Sequence, residues 1–386
     1  MDAESEEPME VEYDPADVQL LDAATRGDLE ACKSLIDQNG ADPCFQVLDT
    51  GVSVLMAAAG TGHKEVVMYL IQEGAPWNAV DRAYLCAGDY AAQNGHQECV
   101  DILLNHAVTS ELILGSVIDK NLEEETEDDL RDSFIESCKR PRLENENKNE
   151  PPTPLNAAYL SSRLEYSKDG TRLTDKTTEL AVMMDWEKPL MREHAQFICH
   201  SDRQDASNIK VLNVGFGMGI VDTEIQGCHP QTHVIIEAHD QVLKQISDSK
   251  FDQKPGVRIV KGRWQDAVKL LAAEIESGSQ PPFDGIFFDT YAEDDRDLRQ
   301  FHAWLPKLLT PKTGRYSYYN GLCPDNVFFH GVACETFRLQ LKRLGLECEF
   351  KPIPVDVSDP SIWKDLDSRY WYFDTYFLPK CQFNQE

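Results

Sequence analysis

Val211-Leu-Asn-Val-Gly-Phe-Gly-Met-Gly-Ile220 is the stretch on which the fold turns. A short apolar strand runs straight into a turn made of Gly215, Phe216, Gly217, Met218 and Gly219. Glycine has no Cβ, so the backbone there can bend sharply and lie close to a ligand. A helix that starts just after such a turn aims its N-terminal amides at that ligand. The competing reading is a strand and turn with no ligand at all, and the residues downstream must decide between them.

The dinucleotide fingerprint G-x-G-x-x-G needs glycine where Ile220 stands. The pattern here is G-x-G-x-G, which suits S-adenosylmethionine better and counts against a nicotinamide-linked dehydrogenase. Strands and helices alternate after the turn. Strands are expected at 210–214, 233–237, 257–260, 283–289, 315–319, 346–355 and 369–378, with helices at 241–247, 264–275, 301–309 and 334–344. Runs of β-branched and aromatic residues separated by helices predict a parallel sheet covered on both faces. The last two strands lack a helix between them, which predicts an antiparallel hairpin at one edge. Thr174–His200 reads as helix, broken at Lys188-Pro189.

The N-terminal part repeats. Leu21-Asp-Ala-Ala-Thr-Arg-Gly27, Met56-Ala-Ala-Ala-Gly-Thr-Gly62 and Tyr90-Ala-Ala-Gln-Asn-Gly95 place their final glycines 35 and 33 positions apart. The ankyrin period is about 33. Apolar runs follow each glycine, small alanines allow close helix packing, and the glycines suit left-handed helix caps. Ankyrin repeats are therefore expected at 16–118, after a disordered acidic tail at 1–15. They offer either a docking surface for a protein partner or a structural cap, with Trp77 expected to pack. Residues 119–154 have the acidic, Pro-containing composition of a linker, with Leu130–Ile135 as a possible short helix. Foldable sequence resumes at 155–386. Lys139-Arg-Pro-Arg142 is a basic cluster that either serves nuclear import or arises by chance.

The 386 residues carry a formal net charge of −30, which argues against direct nucleic-acid binding because phosphates are repelled. The charge permits a basic protein or a cationic small molecule as substrate. The eleven cysteines show no C-x-x-C pair. With no signal-like start, they read as reduced thiols of the cytoplasm or nucleus. No apolar run approaches the length of a membrane span, and a monomer is expected.

In a doubly wound sheet, ligands lie beyond the carboxyl ends of the strands. The second strand ends in Glu237-Ala238-His239, where a carboxylate can accept ribose hydroxyls. Trp264 and Gln265 follow the third and can hold adenine, although Trp264 reads equally well as core. The fourth ends in Asp289, and leaving that charge buried without a partner costs on the order of several kcal/mol. It is therefore expected to face the cleft. Upstream, Glu187 lies between Trp186 and Pro189, an arrangement suited to the flat fork of a guanidinium.

On these residues the C-terminal part resembles guanidinoacetate methyltransferase. It is more closely similar to the fungal protein-arginine N5-methyltransferases with ankyrin repeats, the arginine methyltransferase 2 family. The shared marks are Val182-Met183, Trp186-Glu187, Pro189, Met191, the turn Val214–Met218, Ile236-Glu237 and Phe283-Asp284-Gly285 with Asp289-Thr290-Tyr291. The resemblance implies a Rossmann-like, seven-stranded α/β fold with S-adenosyl-L-methionine as cofactor. By position Met183, Gly215, Phe216, Gly217, Met218, Gly219, Ile220, Glu237, Ala238, His239, Trp264, Gln265 and Asp289 contact that cofactor. Tyr159 or Tyr166 closes over the site, and Glu187 and Asp289 grip the guanidinium. The resemblance also implies methylation of the δ nitrogen of arginine in a protein, with a ribosomal large-subunit protein as the substrate class. A small-guanidine methyltransferase and an inactive scaffold are the competing readings.

Overall fold

The computed structural model describes residues 13–121, 156–200, 208–366 and 368–383. The short helix expected at 130–135, the basic cluster at 139–142 and most of the expected tail and linker lie outside them. By internal contacts the chain divides into two units. The first takes in Asn326–Thr336 as well as the described residues before 122.

The first unit is built from three helix pairs: Pro15–Arg26 with Leu29–Asn39, Val54–Gly60 with Lys64–Gln72, and Ala87–Gln93 with Gln97–Asn121. The repeat glycines have two jobs. Gly27 and Gly62 take φ of 75° and 82°, the left-handed region. A Cβ on Gly27 would come within 2.4 Å of the His63 ring, and one on Gly62 within 2.5 Å of the His96 ring. Each glycine thus lets the histidine of the next repeat lie against the turn, which explains the shared spacing. Trp77 packs edge-on against Phe329, with ring centroids 5.9 Å apart. Asp89, buried, accepts from Cys86 N at 2.9 Å and from Asn326 Nδ2 at 2.7 Å.

The second unit is α/β. A small antiparallel sheet comes first: β1 (Leu164–Tyr166), β2 (Arg172–Asp175) and β3 (Leu180–Met184). The main sheet holds β4 (Lys210–Val214), β5 (Thr232–Glu237), β6 (Val257–Lys261), β7 (Gly285–Phe288), β8 (Arg315–Tyr318), β9 (Leu346–Pro354) and β10 (Thr375–Phe383). Its order is β6-β5-β4-β7-β8-β10-β9, parallel from β6 to β8, with β10 antiparallel to both neighbours. The closing hairpin is as expected. One face is covered by a cluster that includes Trp264, Phe301 and Phe337, the other by one that includes Tyr159, Met191 and Phe251. Near-continuous burial along β4, β5 and β7 is what two covered faces require.

Four expectations need correction. Thr174–Glu187 is not helix: it forms the second half of β2, then β3 and a single 3-10 turn, Asp185–Glu187. Residues 180–183 alternate in burial as a half-buried strand does. Pro189 starts the helix Lys188–Ile198, where proline is tolerated, and does not break one. The expected helix at 301–309 is two, Asp295–His302 and Leu305–Leu308, the first set by an Asp294 cap. The helix expected at 334–344 begins earlier, at Val327, where Asn326 Oδ1 accepts from Phe329 N at 2.8 Å. The last strand is Thr375–Phe383, because Trp371 is drawn out of strand geometry into a buried cluster with Leu190 and Tyr376.

The turn after β4 is clamped. Gly215 has φ of 93°, and a Cβ there would lie 1.9 Å from the carbonyl oxygen of Asp289. Gly215 N donates to Ile236 O and Asp289 N to Val214 O, both at 2.9 Å. Gly215→Ala is therefore expected to lower the unfolding free energy by about 2 kcal/mol or more, through backbone strain and the clash. Denaturant melts of the two proteins check it; equal midpoints would refute this account of the turn.

Candidate active site

The glycine turn, the tips of β5 and β7 and the loop after β6 meet around one hollow of about 590 Å³. Of the residues expected at a cofactor, its wall contains Tyr159, Met183, Gly215, Gly217, Glu237 and Ala238, and also Trp264 and Asp289. Tyr166, Phe216, Met218, Gly219, Ile220, His239 and Gln265 are not part of that wall. Several of these support it from behind. Tyr166 Oη donates to Gly217 O at 3.0 Å. Met218 N points at Met183 Sδ, 3.3 Å away. Of the two candidate closing rings, Tyr159 is the one in the wall, packed between His239 and Tyr291.

Glu237 ties strand to turn. Its Oε2 accepts from Phe216 N at 2.9 Å, and its Oε1 accepts from Ala238 N and His239 N, both at 2.7 Å. Burial raises its pKa and these amides oppose the rise. Trp264 is both core and wall. It is almost fully buried, edge-on to Phe288 and Phe301, and its Nε1 donates to Glu293 at 2.8–2.9 Å.

Glu293 is a wall residue that sequence reading missed. It also accepts from Thr290 Oγ1 at 2.5 Å, and burial pushes its carboxyl up to about 7. It sits only four residues past the β7 tip, so extending the strand-tip argument into the following loop finds it. A second omission lies under the turn. Asn213, buried in β4, donates from Nδ2 to Gly215 O at 2.7 Å and to Asp222 Oδ1 at 2.8 Å. A polar residue inside an apolar strand was the available signal.

Glu187 and Asp289 are brought into one neighbourhood. Asp289 is in the wall of the hollow. Glu187 is not; it is buried beside it, with Oε1 accepting from Met184 N at 3.0 Å. Burial pushes Glu187 up to about 8, and the charge of Asp289 pushes the same way. Burial also pushes Asp289 up to about 7, helped by the charge of Asp222. Tyr319, just past β8, feels the charges of both Glu187 and Asp289, and its hydroxyl has no hydrogen-bond partner among the described residues. A buried carboxyl, a half-buried one and a buried phenol hydroxyl with no partner among the described residues thus share this neighbourhood.

The family model of guanidinoacetate N-methyltransferase matches residues 155–322, and that of ankyrin repeats, three copies, matches 20–112. Protein arginine N-methyltransferase 2 of Cryptococcus neoformans is 33% identical, with 88% of each chain covered. The protein of that name from Neurospora crassa is 32% identical, with 96% of each chain covered. The one from Aspergillus fumigatus is 30% identical over 88% of this chain and 83% of its own. This chain belongs to the protein arginine N-methyltransferase 2 family. It is an arginine N-methyltransferase, and an acidic pocket is what the guanidinium of its substrate calls for.

In this methyltransferase the buried carboxyls oppose folding as pH rises. The folded pKa of Glu187, about 8, exceeds its ordinary value of 4.5. The native state then holds the proton longer, so stability falls between those two values and is lowest above pH 8. Glu187→Gln is expected to match the wild type near pH 4.5 and to exceed it by on the order of 5 kcal/mol at pH 8.5. Thermal melts across that range check it. A gap that closes toward high pH would contradict the sign.

Proposed function

We propose that this enzyme transfers a methyl group from S-adenosylmethionine to the δ nitrogen of an arginine in a basic protein. The observation that carries the reading is the pairing of Glu187 and Asp289 at raised pKa next to the glycine turn. The hollow suits the cofactor. A Cβ at Gly215 would fill the floor of the turn, and Glu237, Asp289 and Glu293 face a sulfonium and an amine better than an anion. Tyr159, Met183, Gly217, Ala238 and Trp264 would complete the hold. The cofactor supplies an electrophilic methyl when bound.

The chain's own residues prepare the other partner. A guanidinium is delocalised and does not lose its proton in water, so its nitrogens are poor nucleophiles. Glu187 accepts from one edge of the group and localises the charge there. Asp289 accepts the proton of the attacking nitrogen as the new bond forms; a carboxyl poised near 7 is matched to that task. Tyr319 offers its free hydroxyl to the same group. Holding the nitrogen in line with the methyl supplies much of the remaining acceleration.

A protein substrate is supported by the ankyrin unit, because a small guanidine needs no docking surface, and by the charge of −30, which attracts basic chains. A ribosomal large-subunit protein is the substrate class to try first. Incubation with labelled cofactor and either a basic protein extract or guanidinoacetate, followed by amino-acid analysis, is expected to yield δ-methylarginine in protein. Label in guanidinoacetate instead would reverse the substrate reading. Asp289→Asn is expected to lose about 10²–10⁴-fold in kcat at saturating cofactor, with occupancy checked by calorimetry; undiminished turnover would remove Asp289 as the base.

A further inference from the structure

We propose that Tyr370, steered by Trp186, is a positioning residue that turns the Glu187 carboxyl toward the substrate guanidinium. The inference rests on the reading of Glu187 given above. Trp186 Nε1 donates to Tyr370 Oη at 3.0 Å. An indole N–H can only donate, so it occupies a lone pair of the phenol oxygen and leaves the phenolic proton to point elsewhere. That proton goes to Glu187 Oε1. Met184 N donates to the same oxygen. Among the described residues both hydrogen bonds to this carboxyl end on Oε1, so Oε2 is the oxygen left for a substrate N–H.

Packing keeps the relay in register. The Trp186 and Tyr370 rings lie 5.7 Å apart, and Trp363 stands edge-on to Tyr370 at 5.3 Å. Trp363 is itself held by Nε1 donating to Val357 O at 2.9 Å. These two large rings leave the phenol little room to rotate. Tyr370 lies far along the chain from Glu187, in the irregular segment before β10, so the carboxyl is fully aligned only once that segment has docked. The same bond favours the charged form of Glu187 against burial, which disfavours it. A tyrosine that merely filled space would leave the titration of Glu187 where it is.

The test reads that titration directly. The protonated carboxyl band of Glu187 is isolated by infrared difference against Glu187→Gln and followed with pH in the full-length protein. Tyr370→Phe is expected to move its midpoint upward by about one pH unit, and Trp186→Phe to move it the same way by less. Affinity for methylguanidine at pH 7, by calorimetry, is expected to fall about tenfold in Tyr370→Phe. A melting curve confirms that each variant is folded, and the single-atom change in Tyr370→Phe keeps the ring packing. A midpoint unmoved in both variants overturns the relay. If Glu187→Gln binds methylguanidine as tightly as the wild type, the role of Glu187 falls and the substrate half of the proposal with it, whether or not the midpoint moves.

Discussion

A buried carboxyl, Glu187, that feels the charge of a half-buried one, Asp289, sets the terms for the rest of the catalytic unit. Neither Glu187 nor Asp289 would be placed there for stability, because burial and like charge both work against ionisation. The surrounding fold absorbs that cost. Parallel strands β4, β5 and β7, buried on both faces, make a frame stiff enough to hold the β7 tip in place. The clamp between Gly215 and the Asp289 carbonyl fixes where that tip meets the turn. The network of Asn213 and Asp222 supports the same turn from beneath, and the charge of Asp222 adds to the reluctance of Asp289 to ionise.

The division of labour along the sheet follows from topology. β4, β5, β6 and β7 end on the same side, and their tips contribute the glycine turn, Glu237, the loop with Trp264, and Asp289. The guanidinium end is assembled differently. Glu187 arrives from before the sheet, Tyr319 from the far side of β7, and Tyr370 from the segment leading into β10. Three distant parts of the chain must dock before that end is complete. The cofactor end, by contrast, draws most of its wall from one run between β4 and β7.

That difference explains what was legible in the amino-acid sequence. The cofactor end is local: an apolar strand, then glycines, then charged tips at regular intervals. Hydrophobic runs and strand-tip position were enough to find Gly215, Glu237 and Asp289. The strands near Thr174 and Leu180 were misread as helix because their apolar residues also fit helical spacing. Only the small antiparallel sheet, a tertiary fact, decides between the two periods. Tyr370 was lost for a related reason. Its aromatic neighbourhood has high strand propensity, yet burial of Trp371 pulls the segment out of the sheet. Glu293 lies in the loop past the end of β7, where strand-tip position no longer points, and Tyr319 directly follows an aromatic-rich strand whose rings read equally well as core. The ankyrin glycines were read for their backbone freedom; that His63 and His96 need the vacant Cβ space could be seen only with neighbouring repeats in contact.

Charge balance ties the proposed chemistry to this arrangement. Before transfer, the substrate guanidinium and the sulfonium present two positive charges, and two carboxylates match them. Methylation leaves the guanidine able to remain a cation but removes the sulfonium charge, and it releases one proton. If both carboxylates stayed ionised, one would be left buried and unmatched, at a cost of several kcal/mol by order of magnitude. In the proposed scheme Asp289, raised to about 7, would take that proton and become neutral. Glu187 would stay opposite the remaining cation. The site is thus balanced on both sides of the reaction by one carboxylate that changes state and one that does not. Such a scheme requires the two groups to differ in surroundings, and they do: Asp289 opens on the hollow, while Glu187 is anchored by a backbone amide and a phenol.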